Sequence, residues 1–145
     1  MEKVVANLAE LELEAARFSS ALLPQSGRAT LVTLSGDLGA GKTAFTKFAA
    51  QALGVEEVVN SPTFVLEKMY QLPPTQPFKR LIHIDAYRLE SGAELAPLGF
   101  DEVMKDSGNL VFLEWPEKVA DALPPPHAAL SLRAREDGSR TISYG

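Results

Sequence analysis

The chain has 145 residues, the size of one domain and enough to bury roughly 70% of the surface that the unfolded chain exposes. It has no cysteine, which excludes disulfides, thiolate metal sites, cysteine nucleophiles and thiol redox chemistry. Its 14 basic and 19 acidic residues leave a formal charge of −5, and no run of Lys or Arg is longer than Lys79-Arg80, which argues against direct, salt-driven binding of nucleic acid.

In chain order, Lys3 to Ala6 reads as a short strand. Asn7 with Glu10 three positions on has the form of a capping box. Leu11, Ala15, Phe18 and Leu22 follow at helical spacing until Pro24 and Gly27 break the pattern. Ala29 to Ser35 is an apolar, β-branched run suited to a buried strand. A glycine-rich segment, Gly36 to Gly41, leads into a helical pattern over Lys42 to Leu53, with Gly54 placed to end it. Val65 to Tyr70 predicts a strand, Leu72 to Pro77 a proline-rich loop, and Leu81 to Asp85 a further strand. Ser91 to Met104 reads as helix in two pieces, interrupted around Pro97 and Gly99. Leu110 to Leu113 is a dense apolar strand ending at Glu114. Pro116 suits the first turn of a short helix running to Leu123. After Pro124-Pro125-Pro126, Ala128 to Arg135 and Thr141 to Tyr144 flank the turn signal Asp137-Gly138.

Alternating strands and helices with a closing hairpin predict an α/β fold with a mixed sheet, in a single domain over residues 1–145. The opening Met1-Glu2-Lys3 runs into an acidic amphipathic stretch and not an apolar leader. No apolar run approaches membrane-spanning length. The expectation is a soluble, cytoplasmic protein without membrane contact. Two histidines far apart in sequence argue against a histidine metal cage.

Gly36-Asp37-Leu38-Gly39-Ala40-Gly41-Lys42-Thr43 fits the Walker A pattern G-x-x-x-x-G-K-[ST]. A phosphate group must meet several backbone N–H groups at once, so glycines clear the approach. The loop then delivers the chain into a helix N-terminus, whose unpaired N–H groups and dipole favour anions. Lys42 adds charge for the β- and γ-phosphates, and Thr43 offers a hydroxyl to Mg2+. The preceding strand and following helix are the context that this motif requires.

Hydrolysis needs further acids. Leu110-Val111-Phe112-Leu113-Glu114 has the form of a Walker B strand, with Glu where Asp is commoner. Glu114 ends the strand at the edge of the sheet where open α/β folds bind ligands. Strand alternation puts His83 and Asp85 on one side of the strand. Asp85 is suited to ligating Mg2+ through water or to orienting the nucleophile, His83 reads as structural, and Arg88 could pair with Asp85 or with a phosphate. Ser61 and Thr63, in Asn60-Ser61-Pro62-Thr63-Phe64, occupy the place where such proteins put a loop that senses the γ-phosphate. Trp115 follows Glu114 directly.

Together these residues resemble the TsaE (YjeE) family, the ATPase subunit of the bacterial machinery for threonylcarbamoyladenosine (t6A) in tRNA. Four motifs recur in order: the Walker A segment, Ser61-Pro62-Thr63-Phe64, His83-Ile84-Asp85-Ala86-Tyr87-Arg88 and Val111-Phe112-Leu113-Glu114-Trp115-Pro116. The resemblance covers nearly the whole chain. It implies a P-loop NTPase-like three-layer sandwich and a cytoplasmic ATPase with Mg2+ held by Thr43 and Glu114. It also implies Asp85 needed for hydrolysis, Ser61 and Thr63 in a switch-like loop, and Trp115 near the nucleotide. The implied partners are the TsaD and TsaB proteins, with tRNA reached only through them, and ATP hydrolysis coupled to resetting that complex. Ala44 stands where the family often has a second threonine.

Other P-loop classes lack their marks. There is no N-K-x-D for guanine, no L-S-G-G-Q, and no arginine-rich lid, since Arg80 and Arg88 are the only arginines between Val65 and Glu114. A nucleotide-sensing module without activity would lack acids such as Asp85 and Glu114.

Overall fold

The computed structural model describes residues 1–56 and 67–145. Strand β1 (Glu2–Val5) is followed by helix α1 (Leu8–Ser20), β2 (Thr30–Ser35), α2 (Lys42–Ala52), β3 (Glu67–Gln71) and β4 (Arg80–Asp85). A 3-10 turn (Gly92–Leu98) leads to α3 (Phe100–Met104) and β5 (Asn109–Glu114). Two more 3-10 turns (Pro116–Lys118 and Ala120–Ala122) precede the hairpin of β6 (Ala128–Ala134) and β7 (Arg140–Tyr144).

Among the described residues the strands form one sheet in the order β1-β7-β6-β2-β5-β4-β3. Its centre is parallel: β2 lies between β6 and β5, and β4 flanks β5. The edges are antiparallel, with β1 on β7, β7 on β6 and β3 on β4. The sequence explains the difference. β2, β4 and β5 are buried along nearly their whole length, their apolar residues interrupted only by a few polar ones, as suits strands covered on both faces, whereas β6 and β3 keep several exposed positions.

Period-two alternation divides the core between the faces. Val32, Leu34, Leu81, Leu110 and Phe112 point to α1 and α2, where Leu11, Ala15, Phe18, Phe45 and Ala49 meet them. Leu31, Ile82, Ile84, Val111 and Leu113 point the other way, onto Leu89, Leu95, Phe100 and Val119. The result is the expected three-layer α/β sandwich with a mixed sheet.

Local signals act largely as read. Asn7 is extended and its Oδ1 accepts from the Glu10 N–H at 3.0 Å. Glu10 reaches back to the Ala6 N–H at 3.0 Å, one residue beyond the donor that a capping box uses. The break between the helical pieces after Ser91 falls at Gly99, with φ 73°, while Pro97 stays inside the 3-10 turn. The helix expected over Pro116 to Leu123 is two 3-10 turns instead. Val119 leaves helical dihedrals between them (φ −131°) and its side chain is wholly buried in the second core layer.

Candidate nucleotide site

The site lies at the carboxyl ends of β2, β4 and β5, where open α/β sheets bind ligands. The loop Gly36 to Gly41 leaves β2 and enters α2 at Lys42. Its path requires glycine at two points. Gly36 has φ 141°, and a Cβ there would lie 2.2 Å from the Leu132 carbonyl oxygen of β6. Gly41, the N-cap of α2, has φ 107°, and a Cβ would lie 3.0 Å from Arg140 Nε. The Ala40 N–H donates to the Asp37 carbonyl at 3.1 Å, and the first α2 bond runs from the Phe45 N–H to the Gly41 carbonyl at 2.8 Å.

Lys42 is nearly buried. Its ammonium donates to the carbonyls of Gly36 and Asp37, the latter at 2.8 Å, and lies 4.2 Å from the centroid of the Trp115 ring, a cation–π distance. Burial pushes the Lys42 ammonium below its ordinary range, against the pull of Glu114, Glu117, Asp85 and Asp37. Trp115 holds a left-handed backbone, φ 62°, as the one non-glycine with positive φ among the described residues. Its ring packs on Tyr87 with centroids 4.9 Å apart.

The Thr43 hydroxyl lies 3.1 Å from each carboxylate oxygen of Glu114. Glu114 is 2% exposed, and its Oε2 is 2.5 Å from His83 Nε2. Asp85 stands opposite Glu114 in the β4–β5 register, and its Oδ1 accepts from the Tyr87 N–H at 3.0 Å. Arg88 is exposed. The structure therefore brings together Lys42, Thr43, Asp85, Glu114 and Trp115. Ser61 and Thr63 lie outside the described residues.

Among the described residues no three His, Asp or Glu side chains converge into a metal cage. A hydroxyl beside one buried carboxylate instead fits Mg2+, a hard cation that protein sites hold through one or two oxygens while water and phosphate supply the rest.

Arg140 was given no role by sequence. Its Nε donates to the Ala40 carbonyl at 3.1 Å, so β7 supports the phosphate-type loop from a hundred residues away. The contact depends on the closing of the sheet, and no local signal announces it. His83 had a signal, its alternation with Asp85, but its contact with Glu114 depends on the β4–β5 register.

The family model described as threonylcarbamoyl adenosine biosynthesis protein TsaE matches residues 6–142. The chain belongs to the TsaE family. Proteins named tRNA threonylcarbamoyladenosine biosynthesis protein TsaE are similar to this TsaE-family chain in several bacteria. That of Bacillus subtilis strain 168 is 38% identical over 117 residues, 79% of this chain and 68% of the relative. That of Treponema pallidum is 40% identical over 114 residues, 79% of this chain and 80% of the relative. That of Rickettsia typhi is 34% identical over 143 residues, 98% of this chain and 88% of the relative. The crystal structure of YdiB from Bacillus subtilis matches with a TM-score of 0.78 at 28% identity, over 99% of this TsaE-family chain and 83% of that one. Among the described residues no helix is long and apolar enough to cross a membrane.

Proposed function

We propose that this chain, acting as a single cytoplasmic domain, is the Mg2+-dependent ATP-binding and ATP-hydrolysing subunit of the t6A machinery. In this role it drives turnover of the TsaD–TsaB transferase and meets tRNA only through those partners. The names of its relatives support the pathway. The observation that carries the ATPase reading is the convergence of the Walker A hydroxyl of Thr43 on the buried carboxylate of Glu114, 3.1 Å away.

Backbone N–H groups of Gly36 to Thr43 would hold the phosphates. Lys42 would exchange its loop carbonyls for β- and γ-phosphate oxygens, which bear more charge. Thr43 and Glu114 would hold Mg2+, whose chemistry is to offset charge developing on the phosphate oxygens. Asp85, adjacent to Glu114 in register, would act on hydrolysis by orienting the attacking water, with Ser61 and Thr63 on the loop that reads the γ-phosphate. Trp115 would lie beside the nucleotide.

The test is ATP turnover with Mg2+ by the protein alone and with a purified TsaD–TsaB pair. Strong stimulation, lost in Glu114→Ala while some nucleotide binding survives, is the expected result. Turnover indifferent to those partners removes the partner assignment, and wild-type turnover by Glu114→Ala removes Glu114 from the site.

A further inference from the structure

We infer that His83 is a positioning residue that fixes the Glu114 carboxylate against Thr43 and thereby sets how strongly Mg2+ enhances nucleotide binding. The inference rests on the Mg-nucleotide reading of the site. His83 lies on β4, two positions before Asp85, and pairs in register with Phe112 of β5. Glu114 is thus its diagonal neighbour on the same face, within reach of a long side chain. The imidazole is wholly buried, and its Nε2 is 2.5 Å from Glu114 Oε2. Its other nitrogen, Nδ1, is buried and has no partner among the described residues.

That arrangement is costly for a purely structural residue. Leu81, on the same face of the same strand, is fully buried and makes no polar demand. A leucine at position 83 would likewise pack without leaving a polar atom unpaired, whereas a buried polar atom without a partner carries a desolvation penalty. Among the described residues, the single hydrogen bond of the His83 side chain goes to the carboxylate facing the Thr43 hydroxyl. With Glu114 as acceptor, Nε2 carries the proton that it donates. The opposite tautomer would place two acceptors face to face and leave an N–H buried without a partner. A carboxylate on a single Cβ–Cγ–Cδ stem has several rotamers. The hydroxyl of Thr43 and the imidazole of His83 both contact the carboxylate in the one that Glu114 adopts. Partners of this kind, standing behind a ligating carboxylate, typically change metal affinity or activity roughly 10–100-fold when removed.

The experiment measures affinity for an ATP analogue with an uncleavable β–γ link by calorimetry, with Mg2+ and with a chelator, in wild type, His83→Leu and His83→Gln. His83→Leu is expected to match wild type in chelator and to lose the Mg-dependent gain roughly 10–100-fold. His83→Gln, whose amide nitrogen can donate near the place of Nε2, keeps most of the gain. A full Mg-dependent gain in His83→Leu overturns the inference while leaving the site reading intact. A wild type indifferent to Mg2+ overturns the site reading and the inference with it. Nitrogen-15 spectra of the wild-type imidazoles give an independent readout that needs no variant to fold, since His127 is the only other histidine. Protonation of His83 on Nε2 supports the inference, and protonation on Nδ1 with a bare Nε2 overturns it.

Discussion

At the scale of single residues, the phosphate-type loop separates two reasons for glycine. Gly39 has φ 79° with nothing within 4 Å of a would-be Cβ, so a side chain there meets only the left-handed backbone cost. Gly36 has φ 141° and a Cβ position 2.2 Å from the Leu132 carbonyl, so the backbone of β6 would have to move as well. Gly39→Ala should cost about 1–2 kcal/mol. Gly36→Ala should cost roughly 3 kcal/mol or more, because strain of about 1–3 kcal/mol adds to overpacking of similar size. Urea denaturation of the two variants decides it, and equal midpoints would contradict the close approach of loop and β6. Trp115 carries the reverse lesson. Its left-handed φ of 62° is uncommon for a bulky side chain, and it holds the indole against Lys42 and Tyr87. Backbone strain of this kind collects at functional sites.

At the scale of elements, one buried acid ties three of them. Glu14 of α1 is 4% exposed. It receives Lys3 of β1 at 2.7 Å, the Tyr144 hydroxyl of β7 at 2.6 Å, and Arg17 one turn on. Burial works against its ionisation, but the hydrogen bonds from Arg17, Lys3 and Tyr144 outweigh it and hold its carboxyl at about 2 against an ordinary 4.5. Burial and the bond to Glu14 push the Tyr144 phenol upward. Between pH 4.5 and 2 the unfolded chain binds a proton at Glu14 that the folded chain refuses. The contribution is therefore complete above the unfolded value and is lost as pH falls through this window. Wild type should lose stability over it more steeply than Glu14→Gln in melts at stepped pH, and parallel curves would deny the clasp its charge. How much of this was legible divides by range. Asn7, Leu11, Ala15 and Phe18 declare α1 through local capping and spacing, and Leu110 to Glu114 declares a doubly covered strand by composition. Glu14 looked like any solvated acid, since its partners lie up to 130 residues away and only the β1–β7 pairing gathers them. Val119 likewise breaks a locally sound helix to complete a core layer, a demand no local pattern expresses.

At the scale of the whole molecule, the site is an assembly of distant parts. The loop after β2 is braced by Leu132 of β6 and Arg140 of β7, while β5 and β4 supply Glu114, His83 and Asp85. Walker A and Walker B residues were readable singly because each motif is contiguous. Their meeting depends on β5 lying beside β2 with Glu114 opposite Leu34, which follows from topology. A ligand that bridges these elements binds the native state and finds no such site in the unfolded chain, so its binding free energy adds to global stability. ATP with Mg2+ at about a hundred times its Kd should contribute about 2.7 kcal/mol, raising Tm by roughly 5–10 °C for a domain of this size. Lys42→Ala removes charge-assisted contacts worth about 1.5–3 kcal/mol each and should erase most of that shift at the same ligand concentration. Dye-monitored melts of both proteins, with and without Mg-ATP, carry the measurement. A wild-type Tm that ignores Mg-ATP would mean that the loop, Lys42 and Glu114 meet for some purpose other than holding a nucleotide, and a Lys42→Ala shift as large as wild type would remove Lys42 from the contacts that hold it.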